Sequence, residues 1–596
     1  MRGGAAVQTW PIESLRQQAV VADGERGFVV GPHGEIGWLC FPRWDSPAVL
    51  SGLLGGQSCY VIEPGCRSSW GGTYAADTLV WEHRWVTSDG EVECRDALLY
   101  PGHADRAVVL RRIRGLSGTV PMRVVLDLRA DDDRRGMREL RHERGGAWHG
   151  RLGAHWFSWS GVPGASEVGT TRFPRLDATI RVAEGDTVEL VLVLATTEPG
   201  AAPVDPRTAW VSTFDAWQAR TCSTTPGHAN RDAAHARAVL TGLTSASGGM
   251  VAAATTSLPE RAEQGRDYDY RFAWIRDQCF AGHAALRAGD DALLDNAVAF
   301  LSARLHADGP DLRPAYTVDG GAIPAEQGLR LPGYPGGGAV RGNRVGGQRQ
   351  LDTFGEVLSL LAAADAADRL DTIGWDAARL AAAAIEQRWQ QPDSGIWELA
   401  PRRWTHSLLS CAAGLRAVAA RPRAGAEAAG WASAADHLIA ATADMAVHPS
   451  GRWQRAADDE RVDAALLLPV VRGALPPEDP RSRRTLDAVI DELTDDGFVY
   501  RFRHDSRPLN EAEGAFLLCG FGLALALLHD DRPTEAVAWF ERSRTACGSP
   551  GLMAEEYDVR QRQPRGNLPQ AFVHALLLEC CYELGEHITR EGQDQP

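Results

Sequence analysis

The pattern of apolar residues changes about one third of the way along the chain, and this change constrains the fold more than any other feature. Up to about Pro203, short apolar or alternating runs are separated by turns rich in Gly, Asp and Pro. Such runs indicate antiparallel strands packed as a β-sandwich. From Asn230 onward, segments rich in Ala, Leu and Arg show helical periodicity instead. The sequence therefore predicts a multi-domain β + α protein, with an N-terminal antiparallel β-sandwich followed by an all-α domain.

The length of the chain also favours more than one domain. A chain of 596 residues is longer than one hydrophobic core usually serves. We place the sandwich at residues 1–204, a helical linker at 205–229 and the helical domain at 230–596. Helical periodicity leaves a bundle, a solenoid and a closed ring of hairpins open for the second domain. The Gly- and Pro-rich loop from Tyr316 to Gly347 is too long for a simple connection, and we expect it to lie over a site.

Charge and composition exclude several classes of partner. The formal net charge is −16, whereas nucleic acids and anionic membranes bind clustered positive charge, so we expect neither as a partner. All 62 basic residues are Arg, which excludes Schiff-base chemistry and a P-loop lysine. The 11 cysteines include no C-x-x-C pair, and Met1 to Val20 lack a continuous apolar core. We expect a cytoplasmic protein without metal or cofactor, and the sequence leaves a homo-oligomer open.

Two acidic segments near the end of the chain place carboxylates beside an aromatic residue. They are Gly395-Ile396-Trp397-Glu398 and Ala554-Glu555-Glu556-Tyr557-Asp558. An aromatic ring shields a carboxyl group from water, raises its pKa and offers an apolar face to a sugar. Cleavage of a glycosidic bond uses one carboxyl group to protonate the leaving oxygen and a second to activate water or attack the sugar. The two segments therefore contain the groups that cleavage of a glycosidic bond needs.

Two further segments extend this pattern. They are Asp269-Tyr270-Arg271-Phe272-Ala273-Trp274-Ile275-Arg276-Asp277, and a run from Gly31 to Pro47 that contains Trp38, Arg43 and Asp45. Together with the acidic segments, they make the chain resemble the glycoside hydrolase family of glucoamylases and bacterial trehalases over nearly its whole length. The resemblance implies an (α/α)6 barrel behind the sandwich. It also implies hydrolysis of an α-glucosidic bond in a small-molecule substrate.

The resemblance assigns roles to individual residues. Glu398 would be the general acid and Glu555 the general base of an inverting hydrolysis, with the neighbouring Glu556 left open as base. Arg276 and Asp277 would clamp the glucose ring, because an Arg–Asp pair serves hydroxyls that both donate and accept hydrogen bonds. The other candidate substrate-binding residues are Trp274, Trp397, Tyr316, Asp319, Arg341, Asn343, Trp38 and Glu556.

The N-terminal signature has two interpretations. Trp38, Arg43 and Asp45 suggest that one loop of the sandwich reaches over the mouth of the barrel. A turn stabilised by the Arg–Asp pair explains the same residues equally well.

The chain departs from the family pattern around the leaving group. The loop after Glu398 is shorter, Leu408 stands where the family often has Lys, and Ala412 and Gly522 replace tryptophans. The loss of two indole rings predicts a wider or more apolar leaving-group pocket. We expect the substrate to be trehalose, a short malto- or isomalto-oligosaccharide, or a glucosylated small molecule.

Two other functions stay open. An inverting disaccharide phosphorylase needs the acid and an anion site in place of the base, so the presence of Glu555 favours hydrolysis. A non-hydrolytic tailoring enzyme of small-molecule biosynthesis could use the same carboxylates for proton transfer, and the altered pocket positions favour it. The presence of both glutamates and of Arg276-Asp277 weighs against a protein that only binds sugar.

Overall fold

The computed structural model describes residues 14–143, 146–198, 203–221, 227–261 and 266–593 of the protein. The strands of the N-terminal part are β1 (Ala19–Ala22), β2 (Gly27–Val30), β3 (Glu35–Cys40), β4 (Ala48–Leu50), β5 (Cys59–Pro64), β6 (Ser68–Tyr74), β7 (Trp81–Thr87), β8 (Gly90–Leu98), β9 (Arg106–Asp127), β10 (Arg135–Gly136), β11 (Arg138–His142), β12 (Trp148–Leu152), β13 (His155–Ser160), β14 (Ser166–Gly169), β15 (Pro174–Ala183) and β16 (Thr187–Ala195). Short strands in the C-terminal part are β17 (Ala273–Trp274), β18 (Ala315–Tyr316), β19 (Gln327–Gly328), β20 (Val340–Arg341), β21 (Thr494–Asp495), β22 (Phe498–Val499), β23 (Ala515–Phe516), β24 (Glu556–Asp558) and β25 (Gln563–Arg565).

The helices dominate the second half of the chain. They are α1 (Ala130–Asp133), α2 (Pro206–Gln218), α3 (Asn230–Leu243), α4 (Ile275–Ala288), α5 (Asp291–Asp308), α6 (Asp352–Ala366), α7 (Thr372–Arg388), α8 (Thr405–Ala419), α9 (Ala428–Ala446), α10 (Leu468–Val471), α11 (Pro480–Glu492), α12 (Leu509–Ala512), α13 (Leu517–His529), α14 (Pro533–Arg544) and α15 (Ala571–Gln593). The predicted order of a β domain followed by an α domain is confirmed. The boundaries at 204 and 229 stay a prediction, with α2 inside the proposed linker.

One long strand, β9, connects the two sheets of the sandwich. Its first half pairs antiparallel with β8 and β16, and its second half pairs with β5 and β15. The chain passes from one sheet to the other near Gly118, which has a φ of +66° and lies so close to the carbonyl oxygen of Asp89 that a Cβ would be 2.1 Å from it. Glycine alone adopts that conformation without strain. Along β15 the buried residues alternate with more exposed ones, as expected for a strand with one face on the core.

The helices form a closed ring. Helices α4, α6, α8, α10, α13 and α15 each pack on the next, and α15 packs on α4. Helices α3, α5, α7, α9, α11 and α14 pack outside this inner ring. Since the last inner helix contacts the first, the arrangement is an (α/α)6 barrel, and the bundle and solenoid alternatives are excluded. Almost every residue of α6 and α13 is buried, and α13 is accordingly apolar on all sides, whereas α6 also buries the polar side chains of Asp352 and Glu356.

Arg271 joins the barrel to the sandwich. Its guanidinium is buried, donates to both carboxylate oxygens of Asp269 at 2.8 and 2.7 Å, and donates to the carbonyl oxygens of Trp44 and Ser46 at 3.1 and 3.0 Å. The N-terminal signature loop therefore docks on the barrel through a buried cation. At the rim of the same contact, Arg43 pairs with Asp319 at 2.8 Å, and both side chains are exposed.

These two contacts should differ widely in their contribution to stability. We expect Arg271→Ala to lower the free energy of unfolding by about 3–5 kcal/mol, because it leaves the Asp269 carboxylate buried without its cation. Arg43→Ala, the matched control, should cost about 0–1 kcal/mol, since an exposed ion pair is screened by water. Thermal and urea unfolding of the two variants would measure the difference. Equal losses would contradict the role given to Arg271.

Candidate active site

An extended segment at the mouth of the barrel directs alternate side chains to opposite sides. Asp269 and Arg271 face the sandwich, whereas Phe272 and Trp274 lie in a small apolar cluster against which Tyr270 packs. This alternation is the period of a β-strand, and Trp274 belongs to β17. One segment thus anchors the sandwich with one face and builds the site with the other.

Trp274 and Arg276 hold the carboxyl group of Glu398. The indole N–H of Trp274 donates to Oε1 of Glu398 at 2.8 Å, and a guanidinium nitrogen of Arg276 lies 3.8 Å from the same oxygen. Arg276 also donates to the carbonyl oxygen of Ile396 at 2.7 Å. It therefore fixes both the side chain of Glu398 and the backbone that carries it.

Glu398 lies in a tight turn with an unusual backbone. Its φ of +56° is in the left-handed region, which a residue with a Cβ rarely adopts and which is concentrated at functional sites. The carboxylate of Asp393 stabilises this turn, because its Oδ1 accepts from the amide of Gly395 at 2.7 Å and from the hydroxyl of Ser407 at 3.0 Å. Burial raises the pKa of Asp393 to about 7.

Tyr270 connects Glu555 to a third glutamate. Its hydroxyl lies 2.9 Å from Oε2 of Glu555 and 3.1 Å from Oε1 of Glu260. Tyr270 and Trp274 contact each other edge to face, with ring centroids 5.5 Å apart. The two aromatic rings therefore stand side by side, and each one holds a different carboxyl group.

Glu555 and Glu556 point in different directions. Glu555 lines the cavity, and its side chain contacts Tyr270. Glu556 is fully buried in β24, where its carboxylate accepts from the amide of Gly514 at 2.7 Å. Neighbouring residues of an extended chain face opposite sides, so only the first of the two glutamates reaches the cavity.

The cavity has a volume of about 220 Å³ and lies where the inner helices begin. Arg276, Phe516 and Phe572, which stand at the first residues of α4, α13 and α15 or next to them, all contribute to its wall. Helix N-termini carry partial positive charge, which favours negative groups in this space. Its remaining walls are Glu260, Arg266, Tyr268, Tyr270, Asn343, Arg344, Gln348, Ile396, Trp397, Glu398, Leu399, Arg501, Phe502, His504 and Glu555.

Four carboxyl groups lie close to Arg501 in the cavity wall: those of Glu260, Glu513, Glu555 and Glu556. Burial and the neighbouring carboxylates raise the pKa of Glu555 well above its ordinary value, and burial also raises the pKa values of Glu260 and Glu556. Glu513 differs: despite its burial, contacts with Arg501 and His504 lower its pKa to about 2. Arg501 therefore interacts most strongly with Glu513. The other three carboxyl groups receive less stabilisation from its positive charge.

The structure brings together some of the predicted site residues. Glu398, Glu555, Arg276, Asn343 and Trp397 line the cavity. Trp274 lies directly behind Glu398, and Asp277 is fully buried beneath it and accepts from Arg276 at 3.2 Å. The end of the long loop reaches the cavity through Asn343 and Arg344.

Other predicted residues lie away from the cavity. Within the described residues, Trp38, Asp319 and Arg341 belong to the contact between the domains: Trp38 lies under Arg271, Asp319 pairs with Arg43, and Arg341 pairs with Asp132 at 3.5 Å. Tyr316 is buried against Asp308. These side chains contact other parts of the protein, and Glu556 is also outside the cavity wall, so sugar binding by these residues stays a prediction.

Two expectations about the surroundings of the carboxyl groups need correction. Leu408, Ala412 and Gly522 are buried in α8 and α13 and are outside the described cavity wall, so their small size does not widen it. Trp397 does not shield Glu398, because its ring packs on Phe516 and its indole N–H donates to Asp463 at 2.8 Å.

Sequence reasoning missed Glu260, Tyr270 and Arg501 as site residues. Tyr270 stood inside a recognised motif and its period-2 relation to Trp274 was a usable signal. Glu260 and Arg501 are remote from both acidic segments along the chain and carry no motif. Contacts that the barrel creates bring them to Glu555.

Buried carboxyl groups also form the floor below the cavity. Burial raises the pKa values of Asp277 and Asp352 to about 6, and that of Glu356 to about 7. The unfolded chain ionises such a group near its ordinary value, whereas the folded protein keeps its proton up to the higher value. Folding stability therefore falls as the pH rises between the two values and is constant above them.

We expect Glu356→Gln to remove part of the loss of folding stability that occurs as the pH rises. The ordinary value of 4.5 and the raised value of about 7 set the window in which wild type loses stability. The variant should be more stable than wild type above pH 7 by about 1–3 kcal/mol and similar to it below pH 4.5. Thermal midpoints measured from pH 4 to pH 8 check this. Glu386→Gln on the exposed face of α7 is the matched control, and an unchanged pH dependence in Glu356→Gln would contradict the assignment.

Comparison with known proteins identifies the class of protein. The family described as Glycosyl hydrolases family 15 matches residues 236–582, and the domain described as Trehalase-like, N-terminal matches residues 6–146. A trehalase from Mycobacterium tuberculosis is 30% identical over 98% of this chain and 92% of the relative. Trehalase 1 from Sulfolobus acidocaldarius is 32% identical over 57% of this chain and 61% of the relative.

The same comparison holds at the level of the fold. The crystal structure of a bacterial glucoamylase complexed with acarbose has a TM-score of 0.71, covers 98% of this chain and 96% of that chain, and is 14% identical in sequence. The sandwich and the barrel thus have the same fold as that glucoamylase. The chain belongs to glycosyl hydrolases family 15. None of the described helices is long and apolar enough to span a membrane.

Proposed function

We propose that the protein hydrolyses an α-glucosidic bond with inversion of configuration, with Glu398 as general acid and Glu555 as general base. The observation that carries this proposal is that both glutamates line one cavity while each is held by a different aromatic residue. The two carboxyl groups thus make hydrogen bonds to separate, neighbouring aromatic residues. An inverting enzyme needs its two carboxyl groups about 6.5–9.5 Å apart, because a water molecule must fit between the sugar and the base.

The surroundings of the two groups support different tasks. The side chain of Glu398 is 28% exposed, within reach of a leaving group that enters from the mouth of the cavity. Glu555 is only 7% exposed, and its raised pKa keeps it a stronger base than a carboxylate in water. In the proposed reaction, Glu398 protonates the glycosidic oxygen while Glu555 removes a proton from the attacking water.

Arg276 is proposed to have two functions. It holds the turn of Glu398 and presents its remaining N–H groups to the cavity, where sugar hydroxyls accept them. Asp277 then acts through Arg276 instead of contacting sugar, because it is fully buried. The glucose ring would stack in the space between Tyr270, Trp397 and Phe572.

Trehalose is the first substrate to test, because the relatives that match nearly the whole chain are trehalases. The assay is incubation with trehalose, maltose, isomaltose and an aryl α-glucoside, each with and without inorganic phosphate. Release of free glucose without phosphate supports hydrolysis. Formation of glucose 1-phosphate only when phosphate is present would support a phosphorylase instead, and no cleavage of any of them would favour a tailoring enzyme.

Substitution of the glutamates should separate acid from base. Glu398→Gln should lower kcat on trehalose by about 10²–10⁴-fold and recover in part on an aryl glucoside whose leaving group needs little protonation. Glu555→Gln should lose activity on both substrates, since water still lacks a base. Glu556→Gln is the matched control and should keep most of the activity if it folds. Full activity of Glu555→Gln together with loss in Glu556→Gln would reverse the choice of base.

The stereochemistry of the product tests the mechanism directly. A single displacement converts an α-glucoside to β-glucose as the first product, and no covalent glucosyl-enzyme forms. Proton NMR of the anomeric signals in the first minutes, before mutarotation, should show β-glucose. Initial α-glucose would mean a retaining double displacement.

A further inference from the structure

Glu260 occupies a position in the cavity wall that the proposed acid and base do not explain. It is almost fully buried and lines the same cavity as Glu555. Its carboxyl group lies close enough to affect the ionisation of Glu555, and its Oε1 is 3.1 Å from the hydroxyl of Tyr270. Two carboxyl groups and one phenol therefore meet at one point.

The number of hydrogens at this point is limited. Two short contacts join three oxygen atoms: 2.9 Å from Tyr270 to Glu555 and 3.1 Å from Tyr270 to Glu260. The phenol supplies one hydrogen, because a hydroxyl has a single O–H donor, whereas each contact needs a hydrogen of its own. The second hydrogen must come from a carboxyl group. Glu260 and Glu555 thus hold one proton between them when all three groups are in contact.

The backbone around the pair keeps the two glutamates close. The amide of Gly566 donates to the carbonyl oxygen of Pro259 at 3.0 Å, which ties β25 to the segment of Glu260. A Cβ at Gly566 would lie 3.5 Å from Cγ of Glu260 and 3.6 Å from Cβ of Glu555. The φ of Gly566 is +83°, a conformation that favours glycine. A glycine with this φ lies against both side chains.

Charged groups face the pair from several elements. Arg266 and Arg501 act on Glu260 and favour its ionised form, and Arg501 and Arg276 act on or near Glu555. Glu556 from β24 and Glu398 from the opposite wall add negative charge around the pair. The guanidinium of Arg501 is hydrogen-bonded to Glu513. Tyr268 lies beside Glu260. The cations therefore do not remove the need for a shared proton, since Glu513 already engages Arg501.

We propose that Glu260 and Glu555 act as one proton-sharing pair, in which Glu260 is a positioning residue whose ionised carboxylate keeps the shared proton on Glu555 until the pair loses it and Glu555 becomes the free base. This inference rests on the proposed role of Glu555 as base. The bond between C1 and the glycosidic oxygen breaks, the bond between C1 and the water oxygen forms, and the water proton goes to Glu555. The pair then holds one proton again and returns it to solvent, while solvent reprotonates Glu398.

The pair has a measurable consequence for the pH dependence of the reaction. Ionisation of Glu555 next to a second carboxyl group is harder than ionisation of an isolated one, and such a pair titrates as a unit. Glu260→Gln keeps a hydrogen-bond donor of the same size but cannot ionise. In that variant Glu555 should become a free base at lower pH.

The test is the pH profile of kcat/KM on 4-nitrophenyl α-glucoside, a substrate that needs little help from the acid. The acidic limb reports the base of the free enzyme. In Glu260→Gln this limb should move to lower pH by about one unit, which is about a tenfold gain in relative rate below the limb. Glu583→Gln is the matched control and should keep the wild-type profile, because Glu583 is a partly buried glutamate of α15 that pairs with Arg287 away from the cavity.

Two further variants keep the outcome decisive. If Glu260→Gln does not fold, Glu260→Asp retains a carboxyl group at a greater distance and should move the limb in the same direction by less. An acidic limb that stays at the wild-type pH in a folded Glu260 variant overturns the pair, whatever the change in kcat. Glu555→Gln tests the proposed function separately, because full activity of that variant would contradict the role of Glu555 as base. If Glu555→Gln is inactive but the acidic limb of Glu260→Gln does not move, only the proton-sharing pair is contradicted.

Discussion

The buried ion pair of Arg271 and Asp269 is the interaction on which the rest of the structure depends. A buried charge pair rarely adds stability over an apolar pair, but it fixes geometry, because each charge must keep its partners. Arg271 has partners in both domains, so it sets the extended segment against the sandwich. The residues on the opposite face, Tyr270 and Trp274, then hold Glu555 and Glu398, the proposed base and acid. The sandwich thus positions the site without contributing a described residue to the cavity wall.

The site concentrates more negative charge than its cations neutralise. Glu260, Glu513, Glu555 and Glu556 gather around Arg501, and Glu513 takes the strongest contact. A core without these groups would be more stable, because every buried carboxyl group costs either a proton or a desolvated charge. Residues that conflict with stability in this way mark functional sites. The same logic extends to the floor, where Asp352 and Glu356 keep oxygen atoms without a hydrogen-bond partner among the described residues.

The sequence predicted the catalytic candidates but not their surroundings. Glu398 and Glu555 follow from short motifs, because the turn and the strand that carry them are local structures. The sequence did not predict which aromatic residue contacts Glu398. Trp397, its neighbour in sequence, donates to Asp463, and the indole that donates to Glu398 is that of Trp274. Glu260 meets Glu555 only after the barrel closes. The order of domains followed from periodicity, whereas the closed ring required the packing of α15 on α4.

The two carboxyl groups are held by different physical means, and the difference fits an inverting reaction. Glu555 is enclosed by side chains, with Tyr270 on one side and Gly566 close behind it, so a water molecule bound there has a defined orientation. Glu398 is placed by its backbone, in a left-handed turn that Asp393 stabilises from below, and its side chain stays partly open. A small enclosed site suits water, which is the same for every substrate. An open site beside the proposed acid suits a leaving group, whose size varies, so a different leaving group need not disturb the proposed base.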